Sequence, residues 1–91
     1  MGHTPEKPKR LAEKLLQVRE SLGLSQNGLI KHLGLSGQLT QGKISEYETG
    51  RREPSLLVLL KYARTTGIAM EVLVDDGPDL PRRLKAGRPV K

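Results

Sequence analysis

The sequence predicts an all-α fold, in which five short helices form one domain between two loose ends. Leu, Ile and Val recur at helical spacing through most of residues 8–75. The tetrapeptide LGLS occurs at residues 22–25 and 33–36, and its glycine and serine are typical of one helix ending and the next beginning. No stretch alternates apolar and polar residues as a half-buried strand does.

Helix 1 is predicted from about Pro8 to Leu22. Proline suits an early helical position, because the first turn leaves its N–H groups unpaired in any case. Four apolar residues share one helical face and are expected to face the core: Leu11, Leu15, Val18 and Leu22. Gly23 can then end the helix in the left-handed conformation.

Helix 2 is predicted over about Gln26–Leu33, since Ser25 can cap its start and Gly34 can follow its end. Its apolar face contains Leu29, Ile30 and Leu33.

Helix 3 is predicted over about Gln41–Glu48, with Thr40 as the N-cap and Gly50 after its end. Ile44 and Tyr47 are expected to face inward.

An alternative start for helix 3 lies at Ser36, which would extend the helix over Gly37–Glu48. We favour Thr40, because Gly37 and Gly42 together would weaken the longer helix.

Helix 4 is predicted over Leu56–Thr66 with Ser55 as its cap. The run LLVLL by itself fits a buried strand, but the apolar pattern continues to Gly67 and so favours a helix of ordinary length. A short helix 5 is predicted over about Met70–Val74.

The ends of the chain differ from the middle in composition. We expect residues 1–7 to form a flexible arm, residues 8–75 to fold, and residues 76–91 to form a disordered basic tail. Residues 77–91 contain five basic side chains, one acidic side chain and three prolines. A formal charge of +6 suits a polyanionic partner, although a tail that merely keeps the protein in solution explains it equally well.

Composition excludes several classes of protein. With no cysteine, a disulfide framework and thiolate metal sites are excluded, and a reducing, cytoplasmic location is expected. No apolar run is long enough to span a bilayer, so no membrane partner is expected. Tyr47 and Tyr62 are the only aromatic residues, which argues against single-strand binding by base stacking.

An enzyme finds little support in the sequence. His3 and His32 belong to no recognisable catalytic or metal-binding arrangement. Lys43 lies in QGKIS, but the glycine spacing of a P-loop is missing. Glu46 and Glu48 are two residues apart and point to different helical faces, unlike paired carboxylates. We therefore expect neither enzymatic activity nor a cofactor or metal.

Three ordered motifs point to a known family. Arg-x-x-x-Gly-Leu-Ser-Gln lies at residues 19–26, Ile-Ser-x-x-Glu-x-Gly at residues 44–50, and Pro-Ser with Leu-x-x-Leu at residues 54–59. Over residues 10–75 the chain resembles the Cro/phage-repressor (XRE-type) helix-turn-helix domains. The resemblance implies a five-helix, lambda-repressor-like domain that binds double-stranded DNA. Residues 36–39, SGQL, are about four more than the family turn usually contains.

The resemblance implies that helix 3 enters the major groove and reads base edges. The implied base-contacting residues are Gln41, Gly42, Lys43, Ser45 and Glu46. Gln41 is the strongest candidate, because a carboxamide can pair bidentately with adenine. Glu46 could accept from a cytosine amino group, repel phosphates or simply be solvated, and Lys43 could contact guanine or a phosphate.

The resemblance also implies phosphate contacts, which position the protein without reading sequence. The implied residues are Gln26, Asn27, Thr40, Arg51 and Arg52. Gln26 resembles the family glutamine that holds a phosphate and supports a side chain of the recognition helix. A further implied pair, Arg19 with Glu48, is structural and fixes helix 3 to helix 1.

Gly42 is unusual, because a glycine inside a helix costs about 1 kcal/mol relative to alanine. One interpretation is that the missing side chain lets the helix backbone come closer to the bases. The other is that glycine relaxes a helix start distorted by the extra turn. The sequence favours neither.

We expect a sequence-specific transcriptional regulator of double-stranded DNA, a repressor that acts as a homodimer. Two alternatives stay open. The chain could be an antitoxin that also holds a protein partner, with Leu80 and Leu84 as possible anchors, or a helix-turn-helix domain used only for protein contacts. The basic end KAGRPVK partly resembles a minor-groove AT-hook, but Ala86 replaces its first arginine.

Overall fold

The structure, a computed structural model, describes residues 10–77 and 79–80. These residues form five helices: α1 Leu11–Leu22, α2 Gln26–His32, α3 Gln41–Thr49, α4 Leu56–Thr66 and α5 Met70–Val74. One isolated bridge, between Ser36 and Leu39, is the only strand-like pairing in this part of the chain, so the all-α class is confirmed. The predicted arm at residues 1–7 and residues 81–91 of the predicted tail lie outside the described residues.

Side-chain caps fix the starts of α2, α3 and α4 at the predicted positions. The hydroxyl oxygens of Ser25, Thr40 and Ser55 accept hydrogen bonds from the backbone N–H three residues onward, at 2.9, 3.2 and 3.2 Å respectively. Because Thr40 caps α3, the alternative helix from Ser36 is excluded. The helices α4 and α5 have the predicted bounds, and α2 and α3 differ from them by one residue.

The start of α1 lies later than expected. The helix begins at Leu11 rather than at Pro8, which lies outside the described residues. Arg10 occupies the N-cap with φ −104° and ψ 1°, and its N–H donates to Asp76 Oδ1 at 2.9 Å. A contact with a distant segment therefore sets the helix start, and sequence pattern alone could not reveal it.

The two LGLS copies begin alike and end differently. Gly23 and Gly34 both adopt left-handed conformations, with φ of 68° and 74°, as the punctuation predicts. Ser25 then caps α2 directly, whereas Ser36 enters an extra turn that Gly37 completes with φ 83°. The inserted turn is ordered by hydrogen bonds from the N–H groups of residues 38 and 39 to the carbonyl of residue 35.

The core is mainly aliphatic, includes Tyr47 and Tyr62, and is contributed by all five helices. The predicted inward faces of α1, α2 and α3 are buried, apart from the half-buried Leu22. The first turn of α4 behaves differently, since Leu56 and Leu57 are 71% and 73% exposed. Two of the five residues of the LLVLL run are therefore not core.

A buried lysine joins the first and last helices. Lys14 lies among the core residues of α1 and is fully buried. Its Nζ donates to the carbonyl oxygens of Val72 and Asp75, both at 2.6 Å. The ammonium group therefore satisfies carbonyls at the end of α5, where the helix dipole also favours a cation.

The segment after α5 folds back on the domain. Arg10 donates from Nη1 to the carbonyl of Asp76 at 3.1 Å and forms an ion pair with Asp79 at 2.9 Å. Leu80 is partly buried against the core. The described part of the predicted tail thus contacts the domain. Among the described residues, no helix combines the length and apolar character that crossing a membrane requires.

Candidate nucleic-acid interface

The helix α3 is held by its apolar side and presents a polar side outward. Ile44 and Tyr47 are buried in the core, and α3 packs against both α1 and α2. Burial raises the pKa of Tyr47, so its hydroxyl stays protonated near neutral pH. One face of α3 is therefore fixed, and its polar residues lie on the remaining surface.

Several exposed residues lie at the N-terminal end of α3. Thr40, Gln41 and Gly42 are exposed, whereas Lys43, Ser45 and Glu46 are half-buried. The side chains of Gln41 and Lys43 have no hydrogen bond or ion pair with another described residue. Long polar side chains at the start of this helix are thus free to contact a ligand.

Gly42 has an ordinary helical backbone and open space around it. Its φ lies outside the left-handed region, and a Cβ built on it would meet only Thr40 Oγ1, at 3.8 Å. The cap on Thr40 also shows that the helix begins regularly after the extra turn. The interpretation that glycine relaxes a distorted start therefore loses its support, and the absent side chain leaves room for a ligand.

A second polar group lies at the other end of α3. Arg52 Nε donates to Glu46 Oε1 at 2.9 Å. The backbone N–H groups of Arg51 and Arg52 both donate to the carbonyl oxygen of Glu46, at 3.0 and 3.3 Å. The Arg51 side chain is exposed and has no partner among the described residues.

A partly buried polar network fixes α3 to α1 and α2. Arg19 donates from Nε and Nη2 to the two carboxylate oxygens of Glu48, at 2.8 and 3.1 Å. Gln26 Nε2 donates to the same carboxylate at 3.2 Å, and Arg19 Nη1 reaches the carbonyl of Leu24 at 3.0 Å. The hydrogen bond with Glu48 raises the pKa of Arg19. Arg19 and Gln26 thus hold both flanking helices on one carboxylate.

This arrangement is a helix-turn-helix, with α2 and the polar side of α3 open to a ligand. A sequence model of the helix-turn-helix family, of the XRE and Cro-like type, matches residues 15–73. The chain belongs to this helix-turn-helix family. Neither curated proteins nor solved structures gave a significant match.

Membership makes the chain a DNA-binding helix-turn-helix domain of a regulatory family. The lambda-repressor-like class agrees with the five observed helices. The matched residues contain α2, α3 and the inserted turn, so the departure at residues 36–39 lies inside the helix-turn-helix domain.

The structure gathers the sequence-predicted site residues into two groups. Most candidate base and phosphate residues lie on or beside α3, whereas Gln26 and Asn27 begin α2. Gln26 is half-buried and contacts Glu48, and Asn27 is exposed. Arg19 and Glu48 form the ion pair described above. The base and phosphate contacts assigned to the other residues stay predictions.

The burial of several polar groups in the helix-turn-helix domain was not predicted from the sequence. Lys14 lies with the apolar residues on the inward face of α1. Its positive charge was the only signal in the sequence that it needs a buried hydrogen-bond partner. His32 is half-buried, and its Nε2 has no hydrogen-bond partner among the described residues. The Tyr62 hydroxyl is buried without a hydrogen-bond partner, and burial raises its pKa.

The described residues contain no cluster of three or more histidine, cysteine or acidic side chains that could hold a metal ion.

Proposed function

We propose that the protein is a sequence-specific transcriptional regulator, a repressor, that reads the major groove of double-stranded DNA with α3. The observation that carries the proposal is the polar side of α3. Its first residues are exposed and unpaired, and two arginines follow its last turn. Helix-turn-helix domains insert the start of this helix among the base edges.

The side chains at both ends of the polar side of α3 have groups that suit DNA. Gln41 can pair with adenine in the groove, and the bare backbone at Gly42 allows a close approach. Lys43 and Ser45 extend the same surface. Thr40, which caps α3, and Asn27, in the first turn of α2, are exposed and are the proposed phosphate contacts. Arg51 has a free guanidinium for a phosphate oxygen.

We further propose a homodimer that binds two half-sites about one helical turn apart. A single small module buries little surface, so pairing raises the affinity for an operator. The exposed Leu56 and Leu57 form an apolar patch on the first turn of α4, and a second copy would remove it from water. Substitution of Leu57 by Glu is expected to shift the protein toward the monomer in sedimentation velocity.

Selection of bound duplexes from a random pool tests the proposal directly. We expect a palindromic consensus, with affinity that falls steeply as salt rises. Gln41→Ala should relax the consensus at one position of each half-site. Lys61→Ala is a suitable charge-loss control, because Lys61 is exposed on α4 and has no proposed role.

The remaining hypotheses predict other outcomes of the same experiment. A folded protein with no salt-dependent affinity for any duplex would indicate a domain used only for protein contacts. Co-purification of a small protein partner would favour the antitoxin. Of its two proposed anchors, Leu80 packs on the domain's own core, and Leu84 lies outside the described residues. With no cysteine in the chain, a cytoplasmic location fits this function.

A further inference from the structure

We propose that Arg52 is a positioning residue for Glu46 and thereby determines which base α3 accepts at one position. The inference rests on the proposed DNA-binding function and deepens it. Glu46 lies on the polar side of α3 and its side chain is 39% exposed, while that of Arg52 is 53% exposed. The ion pair between them therefore lies on the surface that would meet DNA.

The backbone builds this pair. Gly50 ends α3 in the left-handed conformation, with φ 79°, and turns the chain back on the helix. The Glu46 carbonyl then accepts the N–H groups of both Arg51 and Arg52, and the Thr49 hydroxyl also donates to it at 3.3 Å. Since the main chain holds Arg52 beside Glu46, the side chains lose less freedom in pairing than two independent surface residues would.

The pairing leaves useful atoms free on both sides. Arg52 uses Nε for Glu46, and its two terminal nitrogens make no hydrogen bond with the described residues. Glu46 uses Oε1, and its Oε2 has no hydrogen-bond partner there. Arg52 can therefore donate to a phosphate while it holds Glu46, and Glu46 can still accept from a cytosine amino group.

Electrostatics explains why a carboxylate on this surface benefits from an arginine partner. An isolated carboxylate on a DNA-facing helix would be repelled by phosphates on both strands. The guanidinium neutralises that charge and fixes the direction of the carboxylate. Glu46 can then favour cytosine, whose amino group donates, over bases that present only acceptors at the same place.

The two possible roles of Arg52 predict different binding patterns. A phosphate contact alone supports all sequences equally, so its loss weakens every duplex by the same factor. A positioning residue also sets base preference, so its loss should change the same position of the half-site as loss of Glu46. The two changes should not add, because they remove one shared arrangement.

The experiment compares the full chain with Arg52→Ala, Glu46→Ala and the double variant. Arg51→Ala is the matched control, since Arg51 is the neighbouring arginine and has no side-chain partner among the described residues. Each protein is tested at fixed salt against the selected operator and duplexes with each half-site base pair replaced. Circular dichroism melting verifies that the variants stay folded, which the surface position of the pair predicts.

We expect Arg52→Ala and Glu46→Ala each to lose about fivefold or more of the discrimination between bases at one shared position of the half-site. This is the size of effect that one good base contact contributes. The double variant should lose no more than either single change, and Arg51→Ala should weaken all duplexes alike. If Arg52→Ala weakened binding to all duplexes by the same factor, or if Glu46→Ala kept the wild-type base preference, this inference would be overturned and the proposed function would stand. A wild-type protein that bound no duplex would instead overturn the proposed function, and the inference with it.

Discussion

Two ion pairs between an arginine and a glutamate involve α3. Their glutamates, Glu46 and Glu48, are two residues apart on the helix, but the two pairs differ in their surroundings. Glu48 is 4% exposed, and its partner Arg19 is 19% exposed on α1. Glu46 is 39% exposed, and its partner Arg52 is 53% exposed in the turn after the helix. The buried pair joins separate helices, whereas the exposed pair joins one helix to its own end.

Burial decides what each pair can do. Breaking a buried pair leaves an uncompensated charge away from water, which is strongly destabilising. An exposed pair is screened by solvent and contributes little to stability, so its groups can exchange partners at small cost. The same two residue types therefore fix the fold on one face of α3 and remain available to a ligand on the other.

The largest effect is expected from the buried pair. Arg19→Ala leaves the Glu48 carboxylate without its two strongest donors, and should lower the free energy of unfolding by about 3–5 kcal/mol. Urea denaturation followed by circular dichroism measures this value. The control, Arg52→Ala, should change it by less than about 1 kcal/mol. Equal losses in the two variants would show that burial does not separate the pairs.

A second buried cation extends the comparison to carbonyl partners. Lys14→Met keeps most of the side-chain volume but removes the donor to Val72 and Asp75. Because these partly buried carbonyls then lose their partner, we expect a loss of about 1–3 kcal/mol of unfolding free energy. Lys31→Met, at an exposed position of α2, should stay within about 0.5 kcal/mol of wild type. A stable Lys14→Met would mean that other donors replace the ammonium group.

Gly42 tests whether the exposed face is shaped for a ligand. Gly42→Ala should raise the unfolding free energy by up to about 1 kcal/mol, since the added methyl group has open space and helix propensity improves. If the bare backbone approaches DNA, the same variant should bind its operator more weakly or choose another. Thermal melting and competition binding measure the two effects separately. Greater stability with unchanged operator choice would show that the glycine has no role toward DNA.

The smallest effect at neutral pH is expected at Tyr62. Its hydroxyl is buried without a partner among the described residues, so Tyr62→Phe should alter stability by less than about 1 kcal/mol. Burial raises its pKa above that of an unfolded tyrosine, about 10. The folded protein then holds the proton more tightly, so wild type should lose stability as the pH rises above about 10. Tyr62→Phe should lose less in alkaline urea titrations, and equal losses would contradict this.

Local chemistry carried most of the fold prediction. The caps Ser25, Thr40 and Ser55 fixed helix starts to the residue, because each is satisfied by backbone only three positions away. Ordered motifs were enough to indicate the helix-turn-helix family. The residues of α3 that share its polar side could likewise be named in advance, since helical spacing places them.

The sequence by itself determined the five helices, the buried stripes and the family, because these depend on neighbours a few residues apart. Only the tertiary structure decided where α1 begins, that Lys14 reaches the end of α5, and that Arg52 holds Glu46. Each of these depends on groups that are distant in the chain or brought together by a turn. A charged side chain shows in the sequence what it can bind, and the packed helices decide which partner it meets.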